Sequence, residues 1–379
     1  MRQIRLGIVG MGVQGSYHAR YLMKGEVEEI RLCAVCDTDP AKRKAAEILT
    51  EGKAAVFEDA EVMFQSGTVD AALISTPHFM HPALAEKALK AGLHVMVEKP
   101  AGVYARQVRE LNKVAEESGK VFGVMFNQRT NPLYAKMKEM IEAGELGELR
   151  RTNWIITDWY RPQCYYDSGG WRATWAGEGG GVLLNQNPHN LDLWQWICGM
   201  PAKLFAICDN GKYHNIEVED DVTVLARYAN GATGVYITTT GETPGTNRLE
   251  VTGDKGKLVI EGGVLKFWKL DMAESEFTKQ CTENFGAPGC KVCEVKGTGT
   301  ETKHQGILRN WAHAILDGTE LLAPGKEGIY GVEISNAIHL SAWTGRWIEL
   351  PADEEKFLKE LNARIEHSCY KRGKEYEGC

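Results

Sequence analysis

Residues 5–37 read RLGIVGMGVQGSYHARYLMKGEVEEIRLCAVCD. Leu6, Ile8 and Val9 form a short apolar strand that runs into Gly10-Met11-Gly12-Val13-Gln14-Gly15, a G-x-G-x-x-G turn. A helical stretch follows from about Val13 to Lys24, and a second apolar strand, Leu32 to Val35, ends at Asp37. In such a unit the first glycine permits the tight turn. The second lets a pyrophosphate approach the backbone, and the third lets helix and strand pack closely. The helix N-terminus offers free N–H groups and a positive dipole end to phosphates. Asp37, about 20 residues after Gly15, is placed to accept hydrogen bonds from ribose hydroxyls. A dinucleotide is therefore the expected ligand. NAD is expected over NADP, because a carboxylate repels a 2′-phosphate. Lys42 and Arg43, just behind, read as a solvated helix face.

The alternation continues beyond Asp37. Strands are expected at Ala54 to Phe57, Val69 to Ile74, Leu93 to Val97 and Val121 to Phe126. Helices are expected from Asp59, at His81 to Ala91 and at Val103 to Ser118. Strand and helix in turn predict a parallel, doubly wound α/β sheet. Ligands of such sheets sit at the carboxyl ends of the strands. Gly10, Asp37, Thr76, Lys99 and Asn127 all fall at such ends, so one rim is expected to carry them.

The remaining composition excludes more than it assigns. The chain has 379 residues, 43% hydrophobic and 25% charged, and a net charge of -7. Two domains are expected, at 1–126 and 127–379. No basic patch for nucleic acid appears and no apolar run reaches bilayer length. The chain starts a strand almost at once, which leaves no room for a secretory signal, so a cytoplasmic location is expected. Scattered cysteines such as Cys33, Cys36, Cys198 and Cys208 fit reduced thiols. Cys281, Cys290 and Cys293, with His304 beyond, lack a second pair at ligand spacing, so no metal is expected.

A lysine ending a strand on the cofactor rim is suited to proton transfer. Burial and a nearby pyridinium charge would bring its pKa toward the working range of a general base. Lys99 occupies that place, within Glu98-Lys99-Pro100 and after Ser75-Thr76-Pro77 and His81. This pattern resembles the Gfo/Idh/MocA superfamily of glucose–fructose oxidoreductase, inositol dehydrogenase and rhizopine-catabolism proteins. The resemblance implies that Lys99 contacts both cofactor and substrate and that the Lys99–Pro100 bond is cis. It extends through Asn127-Gln128-Arg129, which looks like the family's hinge, and Trp171-Arg172 before Gly179-Gly180-Gly181-Val182-Leu183. It ends in Asn185-Gln186-Asn187-Pro188-His189-Asn190-Leu191-Asp192, where the family usually has D-x-G-x-H followed by D. Asn185 and His189 are four apart, so a helix would place them on one face.

Two departures matter here. Asn185 stands for the usual aspartate and Asn187 for the glycine. An amide holds a hydroxyl but cannot act as a base, which loads the proton chemistry onto Lys99 and His189. Motif and resemblance together give as cofactor contacts Gly10, Met11, Gly12, Val13, Gln14, Gly15, Asp37, Thr38, Thr76, Pro77, His81, Glu98, Lys99, Asn127 and Gln128. As substrate contacts they give Lys99, Arg129, Trp171, Arg172, Asn185 and His189. Trp159, Tyr160, Tyr165, Tyr166, Trp171 and Trp175 are aromatic residues of the kind that pack on sugar C–H faces. Arg161, Gln163 and Asp167 stand beside them as possible hydroxyl contacts.

The resemblance implies a second, α+β domain with an open, mostly antiparallel sheet whose free face joins subunits into a dimer or tetramer. Strands are expected at Arg150 to Trp159, Val222 to Tyr228, Gly234 to Thr240, Arg248 to Gly253 and Lys257 to Glu261. Helices are expected at Pro132 to Gly144, Gln305 to Leu316 and Lys326 to Trp347. From Asp353 the charged tail carries Phe357, Leu358, Leu361 and Ile365 at helical spacing. The expected activity is NAD-dependent oxidation of a secondary alcohol of a sugar, cyclitol or glycoside, or the reverse reduction. A glycosidase that oxidises its sugar transiently and a nucleotide-binding regulator without turnover are the alternatives.

Overall fold

The computed structural model describes residues 3–368. It divides into two compact units, Met1–Thr130 with Gly177–Gly179 and Thr302–Val332, and Asn131–Ala176 with Gly180–Glu301 and Glu333–Cys379.

The first unit begins with β1 (Ile4–Val9), α1 (Val13–Met23), β2 (Ile30–Cys36), α2 (Pro40–Leu49) and β3 (Ala55–Phe57). It continues with α3 (Ala60–Gln65), β4 (Ala71–Ile74), α4 (Met80–Lys90), β5 (His94–Val97), α5 (Ala105–Ser118) and β6 (Phe122–Val124). The strands form one sheet in the order β3-β2-β1-β4-β5-β6. Every neighbouring pair is parallel. The chain winds one way from β1 to β3 and the other way from β4, so the switch point lies between β1 and β4, where a crevice opens at the strand ends. Capping marks the helices locally. The Asp39 carboxylate accepts from Ala41 N at α2, and the Asp59 carboxylate accepts from Val62 N at α3. α1 has no side-chain cap, which leaves its first N–H groups without intrahelical partners.

The longest departure from the expected division lies late in the chain. Residues 302–332 fall in the first unit, although the sequence assigned everything after 126 to the second domain. The reason is burial and edge pairing. On the Lys303–Asp317 helix, Ile307, Leu308, Trp311 and Ala312 join the first unit's core. Val124 N then donates to Ala323 O at 3.2 Å, and Pro324 bridges Gly123, so the outer edge of β6 is covered.

The second unit contains α6 (Pro132–Glu142), β7 (Leu149–Ile156), α7 (Gln163–Asp167) and α8 (Pro188–Cys198). Then come β8 (Lys203–Asn210), β9 (Glu219–Arg227), β10 (Thr233–Thr239), β11 (Asn247–Gly253), β12 (Gly256–Glu261) and β13 (Val264–Leu270). α9 (Glu274–Gln280), β14 (Cys290–Val295) and β15 (Ile348–Glu349) follow. The sheet runs β14-β13-β12-β11-β7-β10-β9-β8-β15. Its β7–β10 pair is parallel and the others are antiparallel. β9 alternates buried and exposed residues, as expected of a sheet covered on one face. Met137 and Met140 of α6 and Leu191, Trp194 and Ile197 of α8 share a core with Trp154 and Tyr236 of that sheet. Trp194 stacks on Tyr236 at 5.1 Å.

The tail helix runs Glu354–Glu366 and buries Phe357 and Leu361. Phe357 stacks on Trp343. The rest of the expected tail lies outside the described residues. Among the described residues, no helix is long and apolar enough to cross a membrane.

Candidate functional site

In the first unit the glycine turn is shaped by close approach. Gly10 has φ +92°, and a Cβ there would sit 2.5 Å from Ser75 O. A Cβ on Gly15 would sit 1.9 Å from Gly10 O, so α1 and the turn meet with no room for a side chain. Gly12 faces open space, and Val13 beside it is 82% exposed. An apolar residue in the open at an uncapped helix start fits a surface that a ligand covers.

Asp37 is buried at the end of β2. Its Oδ2 accepts from Met11 N at 2.7 Å and its Oδ1 from Asp39 N at 2.9 Å. Each carboxylate oxygen has a second lone pair for a ribose hydroxyl. Lys42 Nζ stands 3.9 Å from Asp37 Oδ2. Arg43 is spent on the fold, donating from Nη1 to the carbonyls of Asp37 and Thr38 at 3.0 and 2.9 Å and pairing with Glu58.

Further along the rim, polar atoms wait for partners. Ser75 Oγ, Thr76 Oγ1 and Asn127 Oδ1 are buried with no hydrogen-bond partner among the described residues. Buried polar groups are normally satisfied, so three orphans at the ends of β4 and β6 point to a polar ligand. The residues present fit a dinucleotide. The Gly10–Gly15 turn would hold its pyrophosphate, Asp37 a ribose, and Ser75, Thr76 and Asn127 its more distal polar groups. Pro77 and Gln128 lie on the same strand-end loops.

His81 has a different place from the expected cofactor contact. It is buried, with Nδ1 2.8 Å from Pro100 O and Nε2 2.7 Å from Thr76 O. Both ring nitrogens are taken by backbone carbonyls. His81 therefore ties the loop after β4 to the loop after β5, where the Lys99–Pro100 peptide is cis. It braces the loops on which Thr76 and Lys99 sit. Arg129, expected as a substrate contact, is engaged within the fold. Its side chain is 1% exposed, and Nη1 donates to Glu327 Oε2 at 2.5 Å and to Leu322 O at 3.0 Å.

Glu98 sits beneath the rim. Its Oε1 lies 2.6 Å from His18 Nε2, and its Oε2 accepts from Lys99 N at 3.2 Å. His18 Nδ1 meets the Tyr21 hydroxyl. His304, at the start of the Lys303–Asp317 helix, packs edge-on against His18 and Tyr17, with Nε2 3.1 Å from Gln14 Nε2. Burial raises the Glu98 carboxyl. The hydrogen bond and charge of His18, with His304 and Lys99, outweigh it and hold Glu98 at about 2. Burial pushes His304 down to about 4, against the pull of Glu98. Glu98 is thus a buried anion that anchors the backbone of Lys99. Lys99 itself is half-buried. His18 escaped the sequence reading, and His304 entered it only beside the cysteines. His18 lies on the buried side of α1, eight residues after Gly10, and was readable only with Glu98 as its partner.

In the second unit the helix expected to align Asn185 with His189 begins later. α8 starts at Pro188, which has no N–H to extend a helix backward. Asn185 lies in the preceding turn, its N–H bonded to Gly181 O at 3.0 Å. His189, in the first turn of α8, is 8% exposed. The turn before α8 is held by Glu219, whose Oε1 accepts from Gly181 N and Leu183 N at 2.8 and 3.1 Å. Its Oε2 lies 3.0 Å from His339 Nε2. Asn187 is buried, taking the Tyr236 hydroxyl on Oδ1 at 2.7 Å and donating to Thr238 Oγ1. Asn187 therefore anchors the start of α8 to the sheet.

Tyr165 joins the expected substrate residues. Its hydroxyl donates to Asn185 Oδ1 at 3.1 Å and accepts from Arg172 Nη1 at 2.9 Å and Gln186 Nε2 at 3.2 Å. Arg172 lies over the rings of Tyr165 and Trp171 at 4.7 and 4.8 Å. The other aromatic residues divide. Trp175 is buried against His339 and Trp343. Tyr166 is buried with its hydroxyl on Thr240. Trp159 donates to Asn190 Oδ1 at 3.2 Å. Cys290 and Cys293 are on β14 of the second unit, and His304 belongs to the first.

Comparison with known proteins follows the same division. Residues 4–126 match the model of the oxidoreductase family with an NAD-binding Rossmann fold, and residues 134–259 match the GFO/IDH/MocA C-terminal domain. The chain is 27% identical to inositol 2-dehydrogenase of Rhizobium meliloti, over 92% of this chain and 99% of the relative. It is 28% identical to the NAD(+) scyllo-inositol 2-dehydrogenase of Bacillus subtilis, over 68% and 74%. The crystal structure of the WlbA dehydrogenase from Bordetella pertussis, in complex with NADH and UDP-GlcNAcA, superposes with a TM-score of 0.79. It is 27% identical, over 93% of this chain and 100% of the other.

Proposed function

The chain belongs to the Gfo/Idh/MocA family of NAD-binding oxidoreductases, and from that premise we propose that it oxidises a secondary alcohol of a sugar, cyclitol or glycoside. The observation that carries this reading is the row of unpartnered Ser75, Thr76 and Asn127 oxygens beside Lys99, on the strand-end rim that starts at the glycine turn. Relatives named as inositol dehydrogenases support the substrate class. Bound NAD supplies the hydride acceptor. Lys99 and His189 take and return the hydroxyl proton, and Asn185 holds a substrate hydroxyl without titrating. Glu98 and His81 act through the loop that carries Lys99, and are positioning residues.

The test is to incubate the purified protein and NAD with a panel of sugars, inositols and glycosides. NADH absorbance and product mass are followed together. Stoichiometric NADH with a ketone product supports the reading. Glycoside cleavage without net NADH replaces it with transient oxidation, and no conversion of any compound contradicts it.

A further inference from the structure

Arg161 and Arg172 share one aromatic shelf in the second unit. Their guanidinium groups lie 5.3 and 4.7 Å from the centre of the Tyr165 ring. Arg161 also lies over Trp159, and Arg172 over Trp171. A carboxylate is the usual ionic partner of an arginine. Here, among the described residues, neither guanidinium comes within ion-pair distance of one: Arg161 Nη1 donates to Tyr160 O, and Arg172 Nη1 to the Tyr165 hydroxyl. The nearby Asp167 carboxylate takes the Gln163 amide instead. Arg172 keeps Nε and Nη2 for a planar, two-point contact.

The shelf is built and not merely exposed. Arg161 N donates to Thr240 O, and Arg161 O meets His214 Nε2 at 2.8 Å. The buried Asp220 carboxylate holds His214 in turn, at 2.8 Å from Nδ1. A second, independent observation points to a ligand. Gln186 is 5% exposed and donates Nε2 to Tyr165, while its buried Oε1 has no partner among the described residues. That oxygen needs a donor, such as a hydroxyl.

We propose that this shelf is an anion subsite, and that the substrate is a sugar acid whose carboxylate pairs with Arg172 and Arg161 while a hydroxyl donates to Gln186 Oε1. The inference rests on the alcohol-dehydrogenase reading and narrows it to uronic or aldonic acids. Local positive charge is needed for such a substrate, since the chain as a whole carries a net charge of -7 and repels anions at long range.

The test uses NAD-loaded protein and matched pairs: D-glucuronate, D-galacturonate and D-gluconate, each against its neutral amide. D-glucose 6-phosphate is the phosphate arm. Calorimetry gives affinity and NADH absorbance gives turnover. At least one acid is expected to bind about 10–100-fold tighter than its amide, the range of a charge-assisted pair. Arg172→Gln, which retains a donor for Tyr165, is expected to shrink that ratio to within about threefold, and Arg172→Lys to restore part of it. Equal affinity of every acid and its amide overturns the subsite, even if neutral sugars are oxidised and the dehydrogenase reading stands. Tighter binding of the phosphate than of every carboxylate overturns the sugar-acid assignment. Acid-selective binding with no NADH from any compound supports the subsite and counts against the dehydrogenase reading.

Discussion

Asp37 accepts from Met11 N and Asp39 N, so the carboxylate proposed to hold a ribose also fixes the turn proposed to hold the pyrophosphate. Asp37→Ala is expected to weaken NAD by about 1.5–3 kcal/mol, the range of hydrogen bonds to a charged group. NADP should lose less, because the same change removes repulsion of the 2′-phosphate. Titrating both cofactors into both proteins measures this, and a wild-type preference for NADP contradicts it. Asn185 offers a second test at this scale. Its Oδ1 is held by the Tyr165 hydroxyl, so Asn185→Ala should raise KM several-fold, for a loss of about 1 kcal/mol, with a smaller effect on kcat. Steady-state kinetics showing both constants unchanged would place Asn185 outside the site. Arg129 shows why residue roles are the hardest to read in advance. The Asn127-Gln128-Arg129 motif marks the segment, but only the fold brings Glu327 and Leu322 to the guanidinium.

The Lys303–Asp317 helix links the far end of the chain to the cofactor rim through His304. Its pH dependence follows from sign. His304 titrates at about 4 in the folded protein, below its ordinary 6.5, so between those values the unfolded chain binds the proton and the folded one does not. Stability therefore falls as pH drops from about 6.5 toward 4. Glu98, held at about 2, adds a loss as pH falls from about 4.5 through 2. His304→Asn should flatten the upper window: urea midpoints at pH 7 and pH 5 should differ less in the variant than in the wild type. An equal difference would contradict the buried, neutral state of His304. These elements also mark what was legible in sequence. The βα alternation and each rim residue could be read from period and glycine placement, because they depend on near neighbours. The return of residues 302–332 to the first sheet could not, since the apolar stripe of Ile307, Leu308 and Trp311 suits either core. β8, β13 and β14 were also unassigned. β14 is almost wholly exposed, so it lacks the apolar alternation that announces a strand.

At the scale of the molecule, two cores serve two tasks. The parallel sheet presents a cofactor rim, and the mixed sheet carries α8, the Glu219-held turn and the arginine shelf. Ligand linkage gives a direct check on the first. NAD at a hundred times its Kd should stabilise the protein by about 2.7 kcal/mol, seen as a rise in Tm that Asp37→Ala diminishes at the same NAD concentration. The absence of any NAD-dependent rise would contradict the cofactor assignment. In the proposed reaction Lys99 carries the proton chemistry, since Asn185 cannot. The most direct measurement is stopped-flow NADH formation by Lys99→Ala, on folded protein with confirmed NAD binding and the substrate found in the panel. General acid–base assistance is worth roughly 10²–10⁴-fold, and the account predicts a loss of that size in the rate of the chemical step. Near-normal hydride transfer in Lys99→Ala would contradict it.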